Sequence, residues 1–259
     1  MFRRDLPSKD HHGGWLVRVG EHHGIAPAGE QEVLQHVDKW PDSAQPLGFW
    51  NDRPVAVVQE RGEPQWPSAR EWLARLPESR FPLISTALQV VAWQRDHRFC
   101  GRCGQASERV NGEFAMQCPA CGHRNYPRIS PCIITLVTCG KDLLLARSPR
   151  FPPGRYSTLA GFIEPGETAE DAVRREVHEE VGLTLGEVTY YRSQAWPFPH
   201  SLMLGFFAEA TSRRIRIDGT EIVDAAWYTP HRLPQLPPPY SIARALIEAH
   251  LRAVGADRD

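Results

Sequence analysis

The chain has 259 residues, 41% hydrophobic content and a formal net charge of −1 at neutral pH, with room for one large domain or two to three small ones. Balanced charge gives no global pull toward nucleic acid or anionic membrane and leaves only a local basic patch as a route to either. No apolar run approaches the roughly 20 residues of a spanning helix, and the N-terminal MFRRDLPSKDHHGG lacks the apolar core of a signal peptide. The expectation is a cytoplasmic protein with no membrane partner.

Residues 1–96 hold six of the eight tryptophans and alternating strand-like runs such as WLVRV and PVAVVQ. PLISTALQVVAWQRDH, residues 82–97, has helical apolar spacing and leads into a cysteine cluster. This first segment reads as a small α+β domain ending in a connecting helix. His11-His12 and His22-His23 are read as solvated loop histidines in preference to metal ligands.

Residues 97–126 form the second segment and carry four of the six cysteines, as the pairs Cys100/Cys103 and Cys118/Cys121 with fourteen residues between them. In a reducing compartment such pairs are metal ligands before they are disulfides. Four thiolates fill a tetrahedral Zn²⁺ shell and leave no open position for water or substrate, so the zinc is structural. Gly104 and Gly122 follow the pairs and let backbone amides turn toward the sulfurs. Metal binding would contribute on the order of 10 kcal/mol of folding free energy to a segment too short for its own core. Zinc ribbons also bind nucleic acid or protein partners, so the motif alone does not name a reaction. Cys132, inside the apolar run PCIITLV, reads as a small buried side chain.

The third segment, residues 127–259, alternates strands and helices. ISPCIITLV and DLLLAR read as a strand pair around Gly140-Lys141, and YSTLAGF as a further strand. EVTYYRSQAW, SLMLGFFAEA and EIVDAAWYT follow as three more, and SIARALIEAHLRAV closes the chain as a helix. Between them lies GFIEPGETAEDAVRREVHEEVGL. Thr168 with Asp171 is a helix start, placing a helix from about 169 to 181. Glu176, Glu179 and Glu180 fall on one arc of it, and Arg175 reaches Glu179 at i,i+4. Clustered like charges destabilise an isolated helix by a few tenths of a kcal/mol per pair. Divalent cations reverse that sign, since Mg²⁺ or Mn²⁺ prefers carboxylate oxygens and substrate phosphates.

Gly161, Glu167, Arg175, Glu176, Val177, Glu179, Glu180, Gly182 and Leu183 match, without a gap, the pattern of a glycine, a lone glutamate, Arg-Glu, Glu-Glu and a closing glycine. That is the Nudix box, and the chain resembles the Nudix hydrolases. The resemblance implies a Nudix α/β/α sandwich around a mixed sheet, here preceded by a zinc ribbon and a small N-terminal α+β domain. It implies hydrolysis of a nucleoside diphosphate linked to another group, with Mg²⁺ or Mn²⁺ held by Glu176, Glu179, Glu180 and the carbonyl of Ala160, and with Arg175 orienting a glutamate. Glu179 is the candidate proton acceptor.

Ten residues on, Ser193-Gln194-Ala195-Trp196-Pro197-Phe198-Pro199-His200-Ser201 is similar to the signature of the NADH pyrophosphatase subfamily, which includes enzymes that remove NAD caps from RNA. The order of N-terminal domain, zinc ribbon, YPRISPCII, LAGF and Leu-Pro-Pro-Pro tail agrees with it. Ala195 stands where that signature has proline, which relaxes the loop without removing a polar side chain. The resemblance implies a further metal glutamate at Glu221 and substrate contacts at Arg70, Glu113, Tyr126, Phe162, residues Gln194 to Ser201, and Ala243. It also implies a homodimer. By local pattern alone Phe162 suits a core position, whereas Trp196 and Phe198 suit a site. The substrate so implied is NADH or NAD⁺, cleaved to AMP and nicotinamide mononucleotide, with NAD-capped RNA as a further one. Arg102, Arg109, Arg124 and Arg128 are a candidate guide for RNA or merely solvated arginines. The rivals are a Nudix enzyme for ADP-ribose or dinucleoside polyphosphates and a non-catalytic protein holding nucleotide or RNA.

Overall fold

The structure is a computed structural model that describes residues 1–8, 11–62 and 65–256. The chain forms two compact units, residues 1–129 with 197–200 and residues 130–196 with 201–259.

In the first unit, β1 (Phe2–Arg3), β2 (Gly14–Val19), β3 (Gln35–Val37), β4 (Gln45–Trp50) and β5 (Arg53–Gln59) form one sheet in the order β1-β4-β5-β2-β3. Strands β2 and β5 run parallel, with Leu16 opposite Ala56 and Val17 opposite Val57, all buried. Helix α1 (Ala69–Arg75) starts at a reciprocal capping box between Ser68 and Glu71. Its Trp72 buries the indole and donates to the Ile25 carbonyl at 2.9 Å. Helix α2 (Phe81–Asp96) buries Ile84, Leu88 and Val91 at the three- and four-residue spacing expected of it. The cysteine segment adds a small sheet of β6 (Glu108–Arg109), β7 (Met116–Gln117) and β8 (Arg124–Asn125).

The second unit contains β9 (Ser130–Cys139), β10 (Asp142–Arg147), β11 (Leu159–Phe162), helix α3 (Ala169–Val181), β12 (Leu185–Trp196), β13 (Ser201–Ala210), β14 (Asp224–Tyr228) and helix α4 (Ile242–Ala253). Its strands lie in the order β12-β13-β9-β10-β14, with β11 on β9. Only β13 and β9 pair in parallel, so the sheet is mixed. Gly140, at φ 61°, makes the turn from β9 to β10. The two-residue period of β9 sorts its side chains into two cores. Ile133 and Val137 join Val173, Val177 and Val181 of α3, while Cys132, Ile134 and Leu136 join Ile242, Leu246 and Ile247 of α4. The result is the helix–sheet–helix sandwich expected of the sequence. Helix α4 packs close over Gly205, where a Cβ would stand 2.9 Å from the Ile242 Cδ1 and 3.0 Å from the Arg192 carbonyl oxygen.

Candidate active site

Helix α3 is fixed at both ends by its sequence. The Thr168 hydroxyl accepts from the Asp171 amide at 3.2 Å, and Gly182 closes the helix in the left-handed region at φ 67°. Its valines are buried, which directs the opposite face toward the loop from β11. There Arg175 is the hub. Its Nε and Nη2 hold both oxygens of Glu167 at 2.7 and 2.9 Å, and Nη2 also reaches the Phe162 carbonyl at 2.9 Å. Its Nη1 donates to Glu176 Oε1 at 2.8 Å and to Glu179 Oε2 at 3.1 Å. The fork hydrogen bond from Arg175, helped by the Glu164 amide, holds the Glu167 carboxyl down at about 2. Arg175 thus orients three glutamates, two more than the single partner read from i,i+4 spacing.

Gly161 leaves room for Glu176. A Cβ on Gly161 would lie 1.9 Å from Glu176 Cδ and 2.0 Å from its Oε1, so the carboxylate occupies the space a side chain would fill. Burial is the chief cause that raises the Glu176 carboxyl, opposed by the Arg175 hydrogen bond. Glu180 is 7% exposed, and its Oε2 has no hydrogen-bond partner among the described residues. Burial first, then the charges of Glu176, Glu221, Asp218 and Glu179, push Glu180 up to about 8. Glu180, Ala160 and Glu221 line one cavity of about 350 Å³, together with Arg150, Thr158 and Thr220. Glu221 is placed by Asp218, whose carboxylate accepts from the amides of Thr220, Glu221 and Ile222 at 2.8–2.9 Å. The Thr220 hydroxyl and these amides hold Asp218 well below the usual carboxylate range.

An orphaned buried oxygen beside mutually repelling carboxylates is what a divalent cation would satisfy. Mg²⁺ and Mn²⁺ accept such hard oxygen donors, and Mg²⁺ is commonly held by one or two carboxylates plus waters and substrate phosphates. The donor set therefore fits. It is spread more widely than the cysteines, whose sulfurs are the one His/Cys/Asp/Glu set among the described residues with all ligand atoms within 4.8 Å of one another.

The remaining expected site residues divide between the units. In the second unit, Phe162 is 57% exposed at the end of β11, so it is a surface ring and not a core one. Ser201 and Ala243 are buried, and Ala195 lies in β12 opposite Leu202. Trp196 is more buried than its local pattern suggests, since it packs partly against the α4 core and stacks on Tyr240 at 6.2 Å between centroids. Its flat indole covers apolar surface that the local pattern does not reveal. Gln194 spends both ends of its amide on the start of α4, donating to the Tyr240 carbonyl and accepting from the Ile242 amide, each at 2.8 Å. In the first unit, the Arg70 guanidinium lies 3.9 Å over the Phe198 ring, and both line a cavity of about 410 Å³ with His22, His23 and Pro199. His200 and Pro197 belong to this unit as well. Tyr126 is 55% exposed, and Glu113 accepts from Arg124 at 2.7 Å. His23 departs from a solvated loop residue, being half-buried at φ 63°.

The four cysteines form a closed cluster. Sγ atoms of Cys100 and Cys121 are 3.6 Å apart, and those of Cys103 with Cys118 and with Cys121 are 3.5 Å apart. Disulfides need about 2.05 Å, whereas zinc with sulfur ligands at about 2.3 Å sets tetrahedral edges near 3.8 Å. Two equivalent knuckles build the site, with Gly104 N donating to Cys100 O at 2.8 Å and Gly122 N to Cys118 O at 2.9 Å. The Arg102 amide, 3.4 Å from Cys100 Sγ, brings that thiol down to about 7.

Three residues escaped the sequence reading. Asp218 carried only a weak Asp-Gly turn signal, although it sets the loop of Glu221. Arg150 sits between recognisable strands and Thr158 inside the YSTLAGF run, and only the folded cavity brings them beside Glu180.

Comparison with known proteins identifies the family. A family model described as the NUDIX domain matches residues 127–249, and one described as the NADH pyrophosphatase zinc ribbon domain matches residues 95–126. A protein named NAD-capped RNA hydrolase NudC from Stutzerimonas stutzeri is 48% identical over 248 residues, covering 92% of this chain and 90% of its own. Its namesake from Pseudomonas fluorescens is 41% identical over 256 residues, covering 95% and 91%. A solved NUDIX hydrolase from Nitrosomonas europaea matches 51% of this chain and 77% of its own at 22% identity, with a TM-score of 0.45. With a relative 48% identical along 92% of its length, the chain belongs to the Nudix hydrolases, in the branch that carries the NADH pyrophosphatase zinc ribbon.

Proposed function

We propose that the protein hydrolyses the pyrophosphate of NADH or NAD⁺ to AMP and nicotinamide mononucleotide, and removes NAD caps from RNA 5′ ends. The observation that carries the chemistry is the buried Glu180 Oε2, unpartnered among the described residues, in a cavity shared with Ala160 and Glu221. The choice of substrate is supported by relatives named NAD-capped RNA hydrolase and by the SQAWPFPHS loop.

Glu176, Glu179, Glu180, Glu221 and the Ala160 carbonyl are the residues we assign to Mg²⁺ or Mn²⁺. When bound, the metal neutralises the substrate phosphates and lowers the pKa of water. Water then attacks one phosphorus in line, and the bridging P–O bond breaks, its electron pair leaving on the phosphate of the other mononucleotide. Glu179 is 59% exposed along its side chain and gives only Oε2 to Arg175 among the described residues, which supports assigning it the role of proton acceptor. Arg150, which lines the same cavity and has no carboxylate partner among the described residues, is assigned to a substrate phosphate. Exposed Phe162 offers a face for a base, a contact worth roughly 1–3 kcal/mol. Arg70, Glu113, Tyr126, residues 194–201 and Ala243 complete the substrate assignment. The four cysteines hold Zn²⁺ in a structural role.

We further assign the protein to the cytoplasm, on the strength of its paired thiols, and to a homodimer. No helix among the described residues is long and apolar enough to cross a membrane. Light scattering of the purified protein checks the dimer. The activity is tested with Mn²⁺ or Mg²⁺ and a panel of NADH, ADP-ribose and diadenosine polyphosphates, using Glu180→Gln as control. NADH turnover that the variant abolishes is expected. ADP-ribose cleaved far faster than NADH would reject the substrate, and no turnover of any compound would favour a binding protein.

A further inference from the structure

We infer that a cationic trough in the first unit, leading from the signature loop to the zinc ribbon, holds the phosphodiester backbone of the RNA behind the cap. The inference rests on the reading of capped RNA as substrate. The trough has a volume of about 1130 Å³ and runs between β5, α2 and the ribbon strands that carry Arg109 and Met116. Five arginines line it, at 18, 61, 95, 98 and 109, against two glutamates. Glu60 is paired with Arg18, and Arg95 is held by Asp96 at 2.8 Å, while Glu21 remains near Arg95. Arg61, Arg98 and Arg109 have no carboxylate partner among the described residues. Arg109 is fixed instead by the carbonyls of Ser43 and Ala44, at 2.8 and 3.2 Å. Those bonds aim the guanidinium without cancelling its charge, and burial lowers its pKa, a cost that a bound anion would offset.

The trough does not end at α2. His22 lines it and also lines the cavity that contains His23, Arg70, Phe198 and Pro199. All of these residues belong to the first unit, so the basic lining reaches the tip of the signature loop within one compact body. The volume exceeds the roughly 300–1,000 Å³ of small-molecule pockets. The walls carry Val57, Val58 and Val91 but no Phe, Tyr or Trp on which a base could stack. Guanidiniums without stacking rings read phosphates and ignore base identity.

The expectation at the sequence level pointed to Arg102, Arg109, Arg124 and Arg128. Of these only Arg109 lines the trough, and Arg124 is neutralised by Glu113.

The test measures anisotropy of a fluorescein-labelled, unstructured RNA of about 12 nucleotides, with the full-length protein and an Arg61→Ala/Arg98→Ala variant. Both residues are exposed and lie outside the catalytic machinery. Binding is expected to weaken about tenfold near 0.1 M salt, and the slope of log K against log salt to fall by about 1.4, at about 0.7 per lost phosphate contact. NADH turnover and zinc content should stay at the wild-type level, while KM for NAD-capped RNA rises. Unchanged RNA affinity and salt slope in the variant would overturn the inference. Equal competition by poly-glutamate, with the same dependence on Arg61 and Arg98, would overturn it in favour of an acidic protein partner. Loss of NADH and capped-RNA hydrolysis in the wild type would refute the proposed activity instead, and leave the anisotropy result to decide the trough on its own.

Discussion

Replacing Gly161 with alanine should disable the enzyme while leaving it folded. The added Cβ would meet Glu176 Cδ at 1.9 Å, and an ordinary carbon contact is at least about 3.5 Å. The carboxylate must therefore retreat by about 1.5 Å or swing away. Gly161 does not sit in the left-handed region, so alanine imposes no backbone strain there. The displaced group is the end of a flexible side chain, so the cost to folding is mainly the 2.8 Å hydrogen bond from Arg175, about 1.5–3 kcal/mol for a charged pair. A 1 Å misplacement of a reacting group costs on the order of 100-fold in rate. We expect kcat for NADH to fall about 100-fold and Mn²⁺ to be needed at higher concentration, with thermal unfolding still cooperative. Steady-state kinetics across a Mn²⁺ titration, with circular dichroism melting, measures both. A double-mutant cycle with Glu176→Gln should show that the glycine change adds almost nothing once the carboxylate is gone. Retention of kcat within threefold, at unchanged Mn²⁺ requirement, would refute the argument that this glycine exists to admit Glu176.

Metal-free protein should become less stable as pH rises from about 4.5 toward 8, because Glu180 binds its proton more tightly folded than unfolded and that contribution is lost as it ionises. Urea melts across this range should show the decline, and Mn²⁺ or Glu180→Gln should flatten it. Glu167 titrates in the opposite sense. Its depressed carboxyl contributes stability above about 4.5 that disappears as pH falls toward 2, so Arg175→Met should flatten the acid limb of the urea midpoint against pH. Removal of zinc by a chelator should release one equivalent of metal per chain and unfold the 95–126 segment, read by metal-indicator absorbance and protease cleavage there. A protein that keeps its ribbon protected after losing the metal would show that the four sulfurs are not its scaffold.

The cores and the box were legible because each rests on local order. The period of β9 distributes alternate residues to two helices, and α3 starts and stops at a threonine and a glycine that any reader of caps would choose. The cysteine spacing reported its own geometry for the same reason. What the chain concealed depends on contacts between distant segments. Phe162 looked like core because its neighbours in LAGF are apolar, yet the strand ends there and leaves the ring outside. Trp196 reads as a poor core candidate because prolines surround it, and nothing local shows that Tyr240, far along the chain, stacks on it. Gln194 has no local feature that would link it to the first turn of α4. The basic trough was similarly invisible, since its arginines come from β2, β6, α2 and two connecting segments.

The tip of the signature loop, residues 197–200, packs with the first unit although the strands that carry it belong to the second. Phe198 keeps its company with Arg70, more than a hundred positions earlier. Inheritance of the loop is therefore a joint affair, and the two positions form one unit of exchange. A chimera cut at residue 130 would transplant the hydrolytic machinery with a loop whose tip meets a stranger's surface. Engineers who graft this loop between relatives should carry residues 70 and 198 together, and a change at one of them should be answered at the other.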